Sequence, residues 1–332
     1  MARLTVFGAG AMGTAMAMHL ARAGNDTVLW GSVHDERVLP GLLERRRHPA
    51  LPEFLPDSLT VMGPDQLEAA ADGIEVAVMG AHSGGARTLA RIVMDGSGSA
   101  LPFVVSGAKG LEPGTGKRMT EVYAEEVGHD SVGAMAGPAL APEIADGQPT
   151  AVVLASTDRE QAEKAAEAFR TSTFHVSVTD DVAGVEYCSV AKNVASIGMG
   201  IVDGLAKTGA SEFRNAKAAL FTQAVRELVR LVEALGGRAE TALGLAGLGD
   251  ILVTSLGGRN RLYGEMVGEG AEPARALGDL TGRGLTVEGV EAAREVRRLT
   301  GRLGLALPLH SQVEAILFDG APAASVLDCL KG

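Results

Sequence analysis

Cysteine is nearly absent from this sequence, and its scarcity argues against two kinds of protein. Only Cys188 and Cys329 occur among the 332 residues. Two cysteines cannot build the disulfide framework of a small secreted domain, and their separation is not that of metal ligands. The seven histidines are scattered, without the short spacings that let two side chains share one ion. We therefore expect no disulfide framework and no metal site.

Aromatic residues and long apolar runs are also scarce. Phe, Trp and Tyr make up 4% of the chain, and no basic stripe with interleaved aromatics interrupts a sequence of net charge −11. That pattern disfavours nucleic acid as a partner. No stretch of the chain is apolar without interruption over the length that a membrane span needs. At the N-terminus, MARLTVFGAG, glycines interrupt the apolar run too early for the hydrophobic segment of a signal peptide. We expect a cytoplasmic protein with no membrane span.

Glycine and small apolar residues are abundant instead, and their distribution predicts the fold class. The chain has 44 glycines with no regular period, and 46% of its residues are hydrophobic. In the first half, short apolar runs alternate with amphipathic ones, which predicts a parallel, doubly wound α/β sheet. The predicted strands are 4–7, 27–30, 59–61, 76–79, 103–106, 131–135, 151–154 and 175–178. The predicted helices between them are 11–23, 36–46, 85–93, 117–127 and 159–170. After residue 178 the pattern becomes helical throughout, so we place a domain boundary near residue 180.

A glycine-rich turn follows the first predicted strand. The letters GAGAMG (8–13) lie between that strand and the first helix, and a second strand follows, as a βαβ unit requires. Gly8 permits the sharp turn, Gly10 lets a pyrophosphate approach the backbone, and Gly13 lets the helix pack close to the strand. The pyrophosphate would meet the N–H groups at the helix N-terminus, near Ala11 and Met12. The alternative is a strand–helix turn without a ligand. We predict a Rossmann-type dinucleotide-binding domain.

The end of the second strand bears on the choice between NAD and NADP. NAD sites usually place a carboxylate at that tip to bind the ribose diol. Here Ser32 and His34 come first, and Asp35 follows slightly late, so the tip leaves room for a 2′-phosphate. Ser32, His34 and Arg37 are candidate phosphate contacts, which favours NADP. Alternatively, Asp35 or its neighbour Glu36 caps the next helix and carries no information about the cofactor.

Four further segments combine glycine with polar residues. The letters SGAKGLE (106–112) and GPALAPEIA (137–145) follow strands, at the sheet edge where ligands bind. In SVAKNVASIGMG (189–200), Ser189, Lys192, Asn193 and Ser196 share one helical face. The fourth segment, AGLGDILVTSLGGRNRLYGE (246–265), places Asp250 in a glycine-rich turn ahead of a Gly-Arg-Asn triplet.

These motifs, in this order, resemble the NAD(P)-dependent sn-glycerol-3-phosphate dehydrogenases nearly end to end, and the wording is most similar to the archaeal-like branch. The matching stretches are GAGxxGT, Lys109-Gly110, Gly137–Glu143, Lys192-Asn193, Asn215–Leu220, Gly247–Asp250, Arg259-Asn260 and Val287-Glu288-Gly289. The chain departs from the family pattern at Met12, where bacterial members usually carry Trp, and at Ala139 and Gly258, where Ser is usual.

The resemblance implies reversible hydride transfer between NAD(P)H and dihydroxyacetone phosphate, with sn-glycerol 3-phosphate as the product. It implies that Lys192 is the acid/base, assisted by Lys109 and Asp250. The implied substrate-binding residues are Lys109, Gly137, Asp250, Arg259 and Asn260. The implied cofactor contacts are Gly8, Gly10, Ala11, Met12, Gly13, Ser32, Lys109, Ala141, Arg259 and Glu288. Residues 1–180 would then bind the dinucleotide, and the all-helical residues 181–332 would bind substrate and carry catalysis.

Each of these roles has a structural alternative. Lys109 and Lys192 could be surface lysines, Asp250 an Asx-turn residue, Arg259-Asn260 a solvated turn, and Glu288 a first-turn helix acid. At the level of the whole chain, one alternative is another Rossmann reductase of the β-hydroxyacid or ketopantoate type, which needs no phosphate-binding arginine. Another is a nucleotide-sensing protein without turnover. Relatives also suggest a homodimer, on fold-level analogy alone.

Overall fold

Eight strands in the first part of the chain form a single sheet in the computed structural model, which describes residues 2–98, 100–209 and 211–331. The contacts divide the chain into two compact units: a first unit that ends at Val182 and a second that begins at Ala183. The strands are β1 (Arg3–Phe7), β2 (Asp26–Trp30), β3 (Leu59–Met62), β4 (Val76–Met79), β5 (Val104–Ser106), β6 (Val132–Ala136), β7 (Thr150–Ser156) and β8 (Phe174–Thr179).

The strand order, β3-β2-β1-β4-β5-β6-β7-β8, creates a switch point beside β1. Val6 of β1 lies between Leu29 of β2 and Val78 of β4, with all three strands parallel. From β1 the chain continues to β2 on one side of it, and it later returns to form β4 on the other side of β1. The loops after β1 and β4 therefore diverge at one edge, which is where open α/β sheets bind ligands.

Two strands, β7 and β8, depart from the predicted parallel sheet, because β8 is parallel to β7 and β7 runs antiparallel to β6. The helix between them, α6 (Ala141–Asp146), has six residues and rises only about 9 Å. A parallel connection would have to return along the whole length of β7, about 23 Å for seven residues. The short helix cannot cover that distance, so the chain turns back beside β6.

Helices cover both faces of this sheet, as a doubly wound fold requires. One core contains the buried faces of α1 (Ala11–Arg22), α6 and α7 (Arg159–Phe169), and the other contains those of α3 (Leu67–Ala71), α4 (Ala86–Ser97) and α5 (Met119–Val127). The first unit also contains α2 (Leu39–Arg45). The predicted start of α2 at residue 36 was too early, because Val33–Asp35 form a 3₁₀ turn capped by Ser32.

The second unit is helical where the structure describes it, as the sequence predicts. Its helices are α8 (Val182–Thr208), α9 (Arg214–Ala234), α10 (Ala239–Ala242), α11 (Asp250–Leu256), α12 (Arg259–Gly268), α13 (Pro273–Gly282), α14 (Glu288–Leu303) and α15 (Pro308–Phe318). One described run, Ala239–Leu256, is long and apolar enough by composition alone to span a membrane. It is divided into α10, a π-helical turn at Leu245–Gly249 and α11.

Candidate active site

The glycine turn after β1 has the geometry that the motif predicts. Gly8 has φ +106°, a left-handed conformation that side chains rarely adopt. A Cβ on Gly13 would lie 2.2 Å from the Gly8 carbonyl oxygen, so only glycine lets α1 begin this close to the strand. A Cβ on Gly10 would meet no protein atom within 4 Å. The space in front of Gly10 is therefore open for a ligand.

The N-terminus of α1 fits an anionic group. Gly10 is its N-cap, no side chain caps the helix, and no acidic residue lies in the first turn. The N–H groups of Ala11 and Met12 are in that first turn, where an α-helix provides no internal acceptor. Both residues are half-buried. Together with the helix dipole, this arrangement suits the pyrophosphate of a dinucleotide.

At the end of β2, Asp35 is engaged in capping. Its carboxylate accepts hydrogen bonds from the Ser32 backbone N–H at 2.8 Å and from Ser32 Oγ at 2.9 Å. Ser32 Oγ in turn accepts from the His34 N–H at 3.1 Å. Asp35 thus caps the 3₁₀ turn Val33–Asp35 and not α2, whose N-cap Val38 has no side-chain hydrogen bond. Ser32 is buried, whereas His34 and Arg37 are exposed.

Two predicted substrate residues meet in the first unit. Lys109 lies in the loop after β5, and its Nζ donates to the Gly137 carbonyl, which follows β6, at 3.3 Å. Gly137 has φ +142°, and a Cβ there would lie 3.0 Å from the Ala151 carbonyl oxygen. The strand end therefore requires glycine. Ala141 begins α6 a few residues later and is half-buried.

A buried ion pair lies at the centre of the second unit. Lys192 Nζ on α8 is 2.6 Å from Asp250 Oδ1 at the start of α11, and the two side chains are 2% and 1% exposed. One helical turn further on, Ser196 Oγ on α8 donates to the Thr254 carbonyl of α11 at 2.9 Å. The two helices are thus joined at two levels, one helical turn apart. Lys192 is therefore not a surface lysine on a solvated helix face.

A chain of amide hydrogen bonds extends from the residue beside Lys192. Asn260 Nδ2 on α12 donates to Asn193 Oδ1 at 2.9 Å, and Asn260 Oδ1 accepts from the Gly289 N–H at 2.9 Å. Gly289 is adjacent to Glu288, which is half-buried at the start of α14. The structure thereby brings four separate sequence motifs into one cluster. The side chain of Asn260 joins three helices.

Arg259 is exposed to solvent, unlike the next residue, Asn260, which is buried. Arg259 lies at the first position of α12, and none of the described carboxylates forms an ion pair with it. The preceding residue, Gly258, has φ +107°, so the chain bends sharply before the helix. A guanidinium held at such a bend can offer its planar set of donors to a phosphate.

Sequence reasoning missed the close packing of α8 on α12. A Cβ on Gly264 or Gly268 of α12 would lie 2.1 Å from a backbone carbonyl oxygen of α8. Gly200 and Gly204 of α8 approach the α12 backbone as closely. The four-residue spacing within each pair was a visible signal. This contact of two helix backbones fixes the position of Arg259 and Asn260 relative to Lys192.

A second missed feature is a buried pair behind Lys192. Glu227 of α9 accepts from the Leu309 and His310 N–H groups and from His310 Nδ1, at 2.6, 3.1 and 2.7 Å. His310 Nε2 lies 3.3 Å from the carbonyl oxygen of Ala191, the residue before Lys192. Burial opposes ionisation of Glu227, but its interactions with His310 prevail and lower its pKa. His310 thus contacts the backbone of α8 at the residue that precedes Lys192.

No metal centre accompanies these residues in the described ranges, where three or more His, Cys, Asp or Glu side chains nowhere gather around a common point.

Comparisons with known proteins match nearly the whole chain. Residues 3–162 match the profile of the NAD-dependent glycerol-3-phosphate dehydrogenase N-terminus, and residues 181–328 match that of its C-terminus. The NADP(+)-dependent glycerol-3-phosphate dehydrogenase of Archaeoglobus fulgidus is 34% identical, over 98% of this chain and 97% of the relative. The chain belongs to the NAD(P)-dependent glycerol-3-phosphate dehydrogenase family. The expected family, fold class and NAD(P) dependence are confirmed.

Relatives within this family do not single out the archaeal branch. A glycerol-3-phosphate dehydrogenase [NAD(P)+] from Salinibacter ruber, a bacterium, is 39% identical over 96% of this chain and 92% of the relative. The solved glycerol-3-phosphate dehydrogenase of Coxiella burnetii is 32% identical, with a TM-score of 0.86, over 99% and 98% of the two chains. A ketopantoate reductase from Ralstonia eutropha, at 16% identity and a TM-score of 0.61, shares the fold alone. The activity of the family is the interconversion of dihydroxyacetone phosphate and glycerol 3-phosphate.

Proposed function

We propose that this protein reduces dihydroxyacetone phosphate to sn-glycerol 3-phosphate reversibly, with Lys192 as the acid/base. Residues 1–180 bind the dinucleotide, and residues 181–332 bind the substrate and carry catalysis. The observation that carries the proposal is the buried ion pair of Lys192 and Asp250. Lysine side chains usually lie in water, and burying one beside a carboxylate and a network of amides costs desolvation free energy.

Lys192 acts on the substrate oxygen. As hydride reaches the carbonyl carbon, negative charge develops on that oxygen, and an ammonium beside it stabilises the charge and supplies the proton. In the oxidation direction, the neutral amine takes the hydroxyl proton back. Asp250 holds the lysine chain in one position, so that little side-chain freedom remains to be lost when substrate binds.

Arg259 binds the substrate phosphate, and Lys109 and Gly137 contribute to the same substrate. Asn260 holds Arg259's helix, α12, against α8 through its hydrogen bond to Asn193. The bound nicotinamide dinucleotide supplies the hydride. The residues that would hold it are the glycine turn with Ala11 and Met12, Ser32, Lys109, Ala141, Arg259 and Glu288.

We further propose NADP as the preferred cofactor. The Asp35 carboxylate is engaged by the Ser32 N–H and hydroxyl, and exposed His34 and Arg37 lie near the tip of β2, where they can meet a 2′-phosphate. A homodimer and a cytoplasmic location complete the proposal. Sedimentation of the purified protein tests the first of these, and fractionation of the source cells tests the second.

Oxidation rates of NADPH and NADH with dihydroxyacetone phosphate test the function directly. We expect turnover of this substrate and a lower KM for NADPH. Unphosphorylated 2-ketoacids are the matched alternative substrates. Faster turnover of ketopantoate would favour the other reductase class, and cofactor binding with no turnover of any of these compounds would indicate a nucleotide sensor.

A further inference from the structure

The loop that carries Lys109 is tied to a neighbouring helix by one arginine. This loop (residues 107–118) connects β5 to α5 without forming a helix of its own. Arg87, on the first turn of α4, reaches into it. Arg87 Nε lies 2.6 Å from Glu112 Oε1, and Arg87 Nη2 lies 3.0 Å from Glu112 Oε2. That is a two-point contact, which fixes orientation as well as distance.

The same guanidinium is also bound to α5. Arg87 Nη1 lies 2.5 Å from Glu126 Oε1, and Nη2 lies 2.8 Å from Glu125 Oε2. Three carboxylates from two elements therefore surround one arginine that is 22% exposed. The hydrogen bond from Arg87 lowers the pKa of the Glu112 carboxyl to about 2. Glu112 therefore remains ionised throughout the neutral range.

Glu112 transmits this restraint along the loop. Its Oε2 accepts from Thr115 Oγ1 at 2.6 Å, and its backbone N–H donates to the Lys117 carbonyl at 2.8 Å. On the other side of Lys109, Gly110 is so close to the loop after β4 that a Cβ would lie 2.7 Å from Ser83 Oγ. Lys109 is thus held between a steric contact and the residue that Arg87 binds.

We propose that Arg87 is a positioning residue for Lys109, which it holds in place through Glu112. The inference rests on the proposed role of Lys109 in binding the substrate. A rotation of the loop at residues 107–118, which has no helix to stiffen it, would carry the Lys109 ammonium away from the Gly137 carbonyl at the end of β6. Two hydrogen bonds from the guanidinium to Glu112 oppose that rotation, and its contacts with Glu125 and Glu126 of α5 hold the guanidinium itself in place.

The chain offers a matched control in Arg91. It lies one turn further along α4 and binds the same Glu126, with Nε 3.1 Å from Oε2, but it forms no ion pair with the described residues of the loop. Arg87→Lys keeps the charge and removes the two-point contact with Glu112. Arg91→Lys makes the same chemical change without affecting the loop. Glu112→Gln provides a second variant that approaches the contact from the loop side.

The test measures kcat and KM for dihydroxyacetone phosphate in each variant, in the native background and in Lys109→Met. We expect Arg87→Lys and Glu112→Gln to lower kcat/KM on the order of tenfold in the native background and less than about twofold in Lys109→Met, because interacting residues are not additive. Arg91→Lys should match the native enzyme, and melting temperatures should show all variants folded.

Two outcomes would overturn the inference in distinguishable ways. Equal losses from Arg87→Lys in both backgrounds, or equal losses from Arg87→Lys and Arg91→Lys, would show that Arg87 does not act through Lys109, with the proposed function intact. Native kinetics in Lys109→Met would overturn the proposed role of Lys109 and the inference together.

Discussion

Asn260 and Asn193 share a hydrogen bond of 2.9 Å that joins α12 to α8 at the residue beside Lys192. Both side chains are buried, with Asn260 9% and Asn193 2% exposed. Two residues that the sequence places 67 positions apart are therefore parts of one structure. The exposed Arg259 and the buried Lys192 owe their fixed separation to this contact and to the glycines that let the two helix backbones touch.

Replacing Lys192 should separate catalysis from stability. We expect Lys192→Met to lower kcat by about 10³-fold, within the range for a lost acid/base, and to destabilise the fold by about 3–5 kcal/mol because Asp250 stays buried without this ammonium. The double variant Lys192→Met/Asp250→Leu should recover stability but not activity. Steady-state kinetics and urea denaturation check both parts. A single variant with near-native kcat would refute the assignment.

Arg259→Ala should affect phosphorylated substrates selectively. A charge-assisted two-point contact with phosphate contributes about 2–3 kcal/mol, so KM for dihydroxyacetone phosphate should rise on the order of 50-fold. The melting temperature should stay the same, since the side chain is exposed. The control substrate is unphosphorylated dihydroxyacetone, whose slow turnover should not change. A parallel loss with both substrates would place Arg259 outside the phosphate site.

Two alanine substitutions in the glycine turn should have opposite consequences. Gly10 has φ −65°, and its added Cβ would enter open space, so Gly10→Ala should fold normally while raising KM for NADPH at least about tenfold. In Gly13→Ala, the added Cβ would overlap the Gly8 carbonyl, so the fold itself should be destabilised. Thermal melts and NADPH titrations distinguish the two. Unchanged NADPH binding in Gly10→Ala would argue against a cofactor at this turn.

The contact between α8 and α12 should tolerate no added methyl group. In Gly264→Ala, the new Cβ would lie 2.1 Å from the Ile197 carbonyl oxygen, and separating the helices should cost about 3 kcal/mol or more. Gly278 provides the control, because it is an exposed helical glycine with open space around it. Gly278→Ala should stabilise the protein by up to about 1 kcal/mol. Equal effects in denaturant unfolding would show that the close approach is absent in solution.

Glu314 should make stability fall as the pH rises. Burial raises the pKa of its carboxyl from 4.5 to about 7, although His310 and Arg297 oppose the shift. Well below pH 4.5 both folded and unfolded states hold the proton, so the ionisation of Glu314 does not affect stability. Between these values only the folded state retains it, and by pH 8 the folded state must ionise a buried group. Glu314→Gln should therefore raise the melting temperature more at pH 8 than at pH 5. Exposed Glu233→Gln serves as the control, and equal shifts at both pH values would contradict the assignment.

Local patterns in the sequence determined the strands, most long helices and the glycine turn, because alternation and periodicity report which side of an element is buried. They also pointed to Lys192, Asp250, Arg259 and Asn260, through motif order. The predicted direction of β7 and β8 was wrong, since the strand pattern carries no information about direction and only the short α6 decides it.

Only the tertiary structure decided how those residues meet. The ion pair of Lys192 with Asp250, the amide link of Asn193 with Asn260 and the clamp of Arg87 on Glu112 all join positions far apart along the chain. Their geometry depends on how closely two backbones approach, and no local pattern encodes that distance. The sequence by itself determined which chemical groups this protein has, and the packing of its helices and loops decided which of them act together.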